Sequence, residues 1–216
     1  ICRASVTPGG YGKALYVMHD NGYMTVYAHL DRFPDGIDKR IRDYQYKNEV
    51  FRANLWFSPN EYRVKQGDFL AYAGNSGYSF GPHLHFEIRD ASGNELYDPM
   101  AFYKDKLTDT RPPRIHAVSL YPERGKGVLN GSASSSVYAV DGDTLSALIE
   151  AWGRIGFGVK ALDYMDGTNN KYGIRDIELY VDGKKYFTSV MSNFSFDEDL
   201  FINAWLDYGR MYNNGE

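Results

Sequence analysis

The sequence predicts an all-β protein, an antiparallel sheet domain followed by a β-sandwich. Runs such as "KALYVMH" and "YMTVYAHL" alternate apolar and polar residues with the two-residue period of a half-buried strand. Asn-Gly and Asp-Gly pairs stand between such runs, and these residues readily take the positive φ that tight hairpins require. Aromatics are abundant, with 19 Tyr and 12 Phe beside 22 Gly in 216 residues, a mixture that suits strands and turns better than helices.

"KALYVMH" and "YMTVYAHL", joined across "DNG", form the first predicted hairpin. The following stretch, residues 31–60, shows no sustained alternation and is expected to leave the sheet, with room for one short helix. Its Arg32, Arg40, Arg42, Tyr44, Tyr46, Phe51, Trp56 and Phe57 suit either a wall of a binding groove or a segment packed on its own side chains. The sheet is expected to resume in "FLAYAG" and, after the Gly74–Gly81 loop, in "HLHFEIRD". The segment "YDPMAFYKDKL" then closes a domain over residues 1–107.

Two prolines in "TDTRPPR" remove backbone donors and stiffen the chain, which marks a linker at residues 108–113. Residues 114–216 contain the strand-like runs "RIHAVSLYP", "SVYAV", "TLSALIEAW", "DIELYVDG" and "KKYFTSV", with an Asp-Gly hairpin in "YVDGKKYF". Short strands at this spacing predict a sandwich of immunoglobulin-like type, incomplete at its end. The last run, "FDEDLFINAWLDYGRMYNNGE", suits a helix or a strand with a long loop, and period does not separate them.

A formal net charge of -4 offers no basic footprint for a nucleic-acid backbone. The single Cys2 excludes an intramolecular disulfide. No apolar run approaches the roughly 20 residues that span a bilayer. The chain opens on "ICRASVTPGGYG" without Met and is expected to be part of a longer polypeptide.

Chemistry concentrates in "GNSGYSFGPHLHFEIRD". Strand alternation puts His83, His85 and Glu87 on one side, with Leu84, Phe86 and Ile88 toward a core. The same rule groups Tyr23, Thr25, Tyr27 and His29 opposite Met24, Val26, Ala28 and Leu30. Two strands that each end in a groove-facing histidine would bring three imidazoles together, and imidazole is both the commonest metal ligand and the usual proton carrier near neutral pH. On spacing alone, an H-x-H pair is more often a surface or hydrogen-bonded pair than a metal site. His19, beside the turn, reads as scaffold, His116 as structural, and Gly74, Gly77 and Gly81 as turn formers. No phosphate-loop or dinucleotide pattern accompanies them, so no residue is assigned to an organic cofactor.

"GYGKALYVMHDNGYMTVYAHL" followed by "VKQGDFLAYAGNSGYSFGPHLHFEIRD" resembles the lysostaphin (LytM-type) zinc metalloendopeptidases, which cut peptide cross-links of bacterial cell walls. The ordered combination Y-A-H-L, K-x-G-D, G-N-[ST]-G and G-P-H-L-H-F-E carries the resemblance over roughly the first hundred residues. The insertion after "YAHLDRF" and the Pro-Pro junction further resemble larger envelope members from Bacteroides-like bacteria.

The resemblance implies an antiparallel peptidase domain, zinc as cofactor, and peptidoglycan peptide cross-links as substrate. It implies His85 as a metal ligand and His29 and His83 as the two catalytic histidines that orient water and stabilise developing charge. It also implies a place in the bacterial envelope, periplasmic or exported, with room for a regulatory envelope partner. The family's other two ligands come from an H-x-x-x-D motif, and none occurs here: "HDNGY" at His19 has Tyr where the Asp should stand. The expectation is therefore that these ligands lie upstream of Ile1, and that the chain by itself holds zinc weakly and is inactive. The alternative is a degenerate member that binds cell wall or activates another hydrolase. A structural or adhesive envelope protein is a further reading.

Overall fold

The structure is a computed structural model that describes residues 1–214. The chain forms two compact units, one of residues Ile1–Pro99 with Asn193–Asp197, the other of Met100–Ser192 with Glu198–Glu216.

The first unit is built on β1 (Arg3–Val6), β2 (Lys13–Met18), β3 (Tyr23–Ala28), β4 (Leu30–Arg32), α1 (Asp35–Asn48), β5 (Ala53–Trp56), β6 (Tyr72–Ala73), β7 (His85–Asp90) and β8 (Glu95–Tyr97). In the second unit come α2 (Met100–Tyr103), β9 (Arg114–Leu129), β10 (Ser136–Ala139), β11 (Ala151–Leu162), β12 (Asp176–Val181) and β13 (Lys184–Val190). A late strand, β14 (Asn193–Ser195), returns to the first unit, and a 3-10 turn (Phe196–Phe201), α3 (Ile202–Trp205) and α4 (Tyr208–Asn214) follow. The main sheet has the order β14-β8-β7-β3-β2-β1-β5, and every neighbouring pair is antiparallel. The expected all-β, antiparallel class is thus observed.

Both faces of this sheet are covered. On one, Ala4, Val6, Leu15 and Ala53 pack with Phe33, Phe57 and the helical Ile37 and Ile41. On the other, Ala14, Tyr16, Met24, Val26 and Ala28 form a second cluster flanked by Cys2 and Tyr11. Residues 31–60 depart from expectation. They hold a 14-residue helix and also β5, an edge strand of the main sheet paired with β1. Only Ile37 and Ile41 of α1 are buried, an i,i+4 stripe too narrow to announce a helix by period. Acidic Asp35 and Asp38 sit in its first turn and Lys47 in its last, the arrangement the helix dipole favours. Glu49, at φ 54°, ends it.

The "FLAYAG" strand shrinks to Tyr72 and Ala73, paired with β4 in a small separate sheet. The second unit contains a three-stranded sheet, β10-β9-β11, and the β12–β13 hairpin, whose Asp182 and Gly183 take the positive φ expected of Asp-Gly. The run "TLSALIEAW" becomes strand only from Ala151. The C-terminal run, left open by period, is mainly helical as far as Asn214; its last two residues lie outside the described residues. No helix among the described residues is long and apolar enough to cross a membrane.

The β7–β8 turn is held by Asp90, whose carboxylate accepts from Ser92 Oγ (2.5 Å) and from the N–H groups of Ser92, Asn94 and Glu95. These bonds, Ser92's hydroxyl first, hold the Asp90 carboxyl below the usual range. Asp90→Ala should cost about 1–2 kcal/mol in chemical denaturation and speed amide exchange at Asn94 and Glu95. Because the folded value is depressed, this contribution is present above an unfolded carboxylate value near 3.9 and lost as pH falls through the folded one. Acid-induced loosening of this turn should accordingly disappear in the variant.

Candidate active site

The β3–β7 register pairs Ala28 with His85, Val26 with Glu87 and Tyr27 with Phe86. Directly opposed residues share a face, so His85, Glu87 and Arg89 lie on the Ala28–Val26–Met24 side of the sheet. Unbroken alternation would send His29 to the opposite side, with Tyr27. Instead the His29 and His85 ring centroids stand 5.6 Å apart. The break is local: His29 has φ 58°, the left-handed region rare for a residue with a Cβ, and β3 ends at Ala28. The three histidines do come together, but a backbone reversal does it, not period.

His83 also lies off the strand, in an isolated bridge with Gly74 just ahead of β7. Its ring centroid is 4.7 Å from that of His29. The expected apolar face is only partly buried, since Leu84 is 48% exposed while Ile88 is buried. Glu87, expected toward a groove, is 7% exposed.

Each imidazole is held by one nitrogen. His29 Nδ1 lies 2.8 Å from the Ser76 carbonyl, and His83 Nδ1 2.8 Å from the Gly81 carbonyl. A carbonyl only accepts, so both Nδ1 atoms carry the proton and both Nε2 atoms keep a lone pair. His85 is held the other way round: its Nε2 donates to Glu87 Oε1 at 2.6 Å, which leaves the lone pair on Nδ1.

Glu87 is the hub. Tyr11 Oη donates to Oε1 at 2.5 Å, and Arg89 reaches Oε2 through Nε at 2.6 Å and through Nη2. Arg89 Nη2 also donates to Tyr11 Oη and Nη1 to the Gly93 carbonyl, each at 3.1 Å. Burial works against a charged Glu87, but hydrogen bonds from His85, Tyr11 and Arg89 outweigh it and hold the carboxyl below its ordinary value. Burial first, and then the bond to Glu87, push the Tyr11 phenol up, so it remains a donor.

The Gly74–Gly81 loop seats His29. Ser76 Oγ donates to the Leu30 carbonyl at 2.6 Å and accepts from Lys13 N–H, while the Ser76 carbonyl takes His29. Gly12 (φ 63°) and Gly77 (φ 77°) meet backbone to backbone, where an added Cβ on Gly77 would lie 2.3 Å from Gly12 N. Gly77 is therefore more than a turn former. Tyr11, Ser76 and Arg89 carry no sequence signal for these roles, whereas Glu87, two residues past His85 on one strand, could have been found from its spacing.

Elsewhere, His19 Nε2 bonds Thr25 Oγ1 at 2.8 Å, and His116 Nε2 lies 3.1 Å from Tyr164 Oη. Both are scaffold contacts outside the cluster. Among the described residues no group of three or more His, Cys, Asp or Glu side chains is placed to hold a metal ion. The cluster presents a single carboxylate-backed imidazole nitrogen, His85 Nδ1, and among the described residues it does not amount to a metal site by itself.

No family model matches the chain. It is 35% identical over 81 residues to the DD-carboxypeptidase/endopeptidase Mpg of Neisseria meningitidis, a match covering 38% of this chain and 13% of that protein. It is 46% identical over 79 residues to the glycyl-glycine endopeptidase ALE-1 of Staphylococcus capitis, covering 36% and 22%. With lysostaphin of Staphylococcus simulans it shares 32% over 66 residues, 27% of the chain and 13% of that protein. The chain thus spans less than a quarter of the length of these curated relatives. The lysostaphin structure from Staphylococcus simulans aligns at a TM-score of 0.31 and 17% identity, over 85% of this chain and 72% of that one. The relatives are peptidases by name. These sequence matches support a likeness to lysostaphin-type (LytM) peptidases over 27–38% of the chain.

Gly77→Ala should destabilise the protein by about 2 kcal/mol or more, from left-handed strain plus the backbone clash. Gly81→Ala, with open space around its Cβ position, should stay within about 0.5 kcal/mol of wild type. Urea unfolding curves of the two variants make the comparison.

Proposed function

We propose that the protein is a zinc-dependent endopeptidase of the bacterial envelope that hydrolyses peptide cross-links of peptidoglycan. The observation that carries this is the difference in how three adjacent imidazoles are held. A carboxylate behind His85 Nε2 orients the ring and leaves the lone pair on Nδ1, as suits a metal ligand. Carbonyls behind Nδ1 of His29 and His83 leave Nε2 as the atom of each ring that accepts and returns a proton, as suits general acid–base work. The printed names of two relatives, a DD-carboxypeptidase/endopeptidase and a glycyl-glycine endopeptidase, support an endopeptidase reaction.

Zinc, when bound, supplies a polarised water at neutral pH. Among the described residues, the carboxylate-backed His85 Nδ1 is the ligand assigned to it. The remaining chemistry assigned to this chain is positional. His29 is pinned between the loop carbonyl of Ser76 and the end of β3, so its Nε2 is presented in one orientation. His83 is exposed and held by Gly81 O, with Ser79 Oγ at 3.2 Å from the same nitrogen. It is the more accessible of the pair and the better placed to meet substrate from solvent. Which ring takes the first proton is left to kinetics. The second unit is read as an immunoglobulin-like module from its strand spacing, and a fold of that kind assigns no chemistry.

Release of soluble fragments from purified peptidoglycan by the full-length protein tests the proposal. His29→Ala and His83→Ala should each lower kcat by about 10²–10⁴-fold with the fold intact by circular dichroism. His85→Ala and chelation should abolish release, and added zinc should restore the chelated protein only. A wild-type protein that binds peptidoglycan with zinc present and releases nothing would favour the degenerate, wall-binding alternative.

A further inference from the structure

The chain Arg89–Glu87–His85 extends one step further, to a segment about a hundred residues downstream. β14 pairs antiparallel with β8, Asn193 opposite Tyr97, Phe194 opposite Leu96 and Ser195 opposite Glu95. The junction is tied by Asn94, whose Nδ2 donates to Ser195 Oγ at 3.0 Å and Asp197 Oδ2 at 3.1 Å, and whose carbonyl accepts from Phe196 N–H. The next residue out of the strand, Phe196, lays its ring on Arg89, with Cζ 4.7 Å from the ring centroid. The rings of Tyr11 and Tyr16 stand farther off, at 5.8 and 5.9 Å.

The Arg89 guanidinium is bonded on three sides, to Glu87 through Nε and Nη2, to Tyr11 Oη through Nη2 and to Gly93 O through Nη1. Those bonds lie in the guanidinium plane. What they leave uncovered is its face, and the ring that comes nearest to it is that of Phe196. A buried ion pair keeps its geometry only while water is kept from it, because attraction between the charges grows as the local dielectric falls. A ring over the cation adds attraction of its own.

Resting on the reading of His85 as a site residue, we propose that Phe196 is a positioning residue for His85. By covering Arg89 it keeps the guanidinium on Glu87, and so keeps Glu87 on His85 Nε2 and the lone pair on Nδ1. Phe196 is then a working part of the site although it touches none of the three imidazoles among the described contacts.

The full-length protein, ¹⁵N-labelled at histidine, supplies a readout that stability alone does not move: the ring-nitrogen shifts, which distinguish an Nε2–H from an Nδ1–H tautomer. Wild type should show His85 as a single Nε2–H form. Phe196→Ala should turn this into a mixture, leave the His19 and His116 signals unchanged, and lower kcat about tenfold with KM constant, the low end of what an outer-shell partner of a ligand is worth. Phe196→Tyr, which keeps the ring, should restore both. Phe194→Ala, an exposed position on the same strand, should change neither.

An unaltered His85 tautomer in Phe196→Ala overturns the proposal. Should that variant fail to fold, Phe196→Leu decides by the same signal, since it keeps apolar bulk and lacks the ring. A shifted tautomer in a protein whose wild type cleaves no peptidoglycan would sustain the positioning role and sink the endopeptidase reading instead.

Discussion

One buried carboxylate organises the chemical face of this molecule. Glu87 sits inside a sheet face otherwise lined by Ala14, Tyr16, Met24, Val26 and Ala28, where an unpaired charge would cost several kcal/mol. It is tolerated because Tyr11, His85 and Arg89 all donate to it. The compensation has structural consequences. It ties the segment before β2 to the middle of β7, fixes which nitrogen of His85 carries the proton, and requires a guanidinium that is itself held by Tyr11 and Gly93. An apolar residue in place of Glu87 would fill the volume and leave the imidazole free to turn.

A second constraint acts on the backbone. His29 ends its strand in a left-handed conformation, and the loop that follows Gly74 closes over it. That closure depends on two glycines, Gly12 and Gly77, whose backbones approach too closely for any side chain. The loop then gives its Ser76 carbonyl to His29, and its Gly81 carbonyl to His83. Backbone acceptors on two imidazoles and a carboxylate on the third make chemically different groups of one residue type within 6 Å or so.

The strands of the first hairpin, the Asp-Gly turn of β12–β13 and the meeting of His29 with His83 and His85 were all legible, because alternation, turn chemistry and motif spacing are local properties of the chain. α1 was nearly invisible, since two isoleucines and a polar remainder leave a stripe too narrow for periodicity to find. β5 was missed for a related reason: it is four residues long at the sheet's edge, and an apolar Trp56 on its exposed face, next to a half-buried Leu55, breaks the apolar–polar alternation. The alternation argument reached the right trio of histidines for a wrong geometric reason. It did not anticipate that His29 would reverse the backbone, nor that the β3–β7 register sets Tyr27 against Phe86 and Ala28 against His85.

By itself, then, the sequence determined the class of fold, the hairpin positions and the residues worth watching, because each follows from neighbours within a few positions. Only the tertiary structure decided which face each histidine occupies, which nitrogen each presents, and that Tyr11, Arg89 and Phe196 belong to the same network. Those facts depend on strand register and on contacts spanning tens to about a hundred residues, for which the linear pattern carries no term.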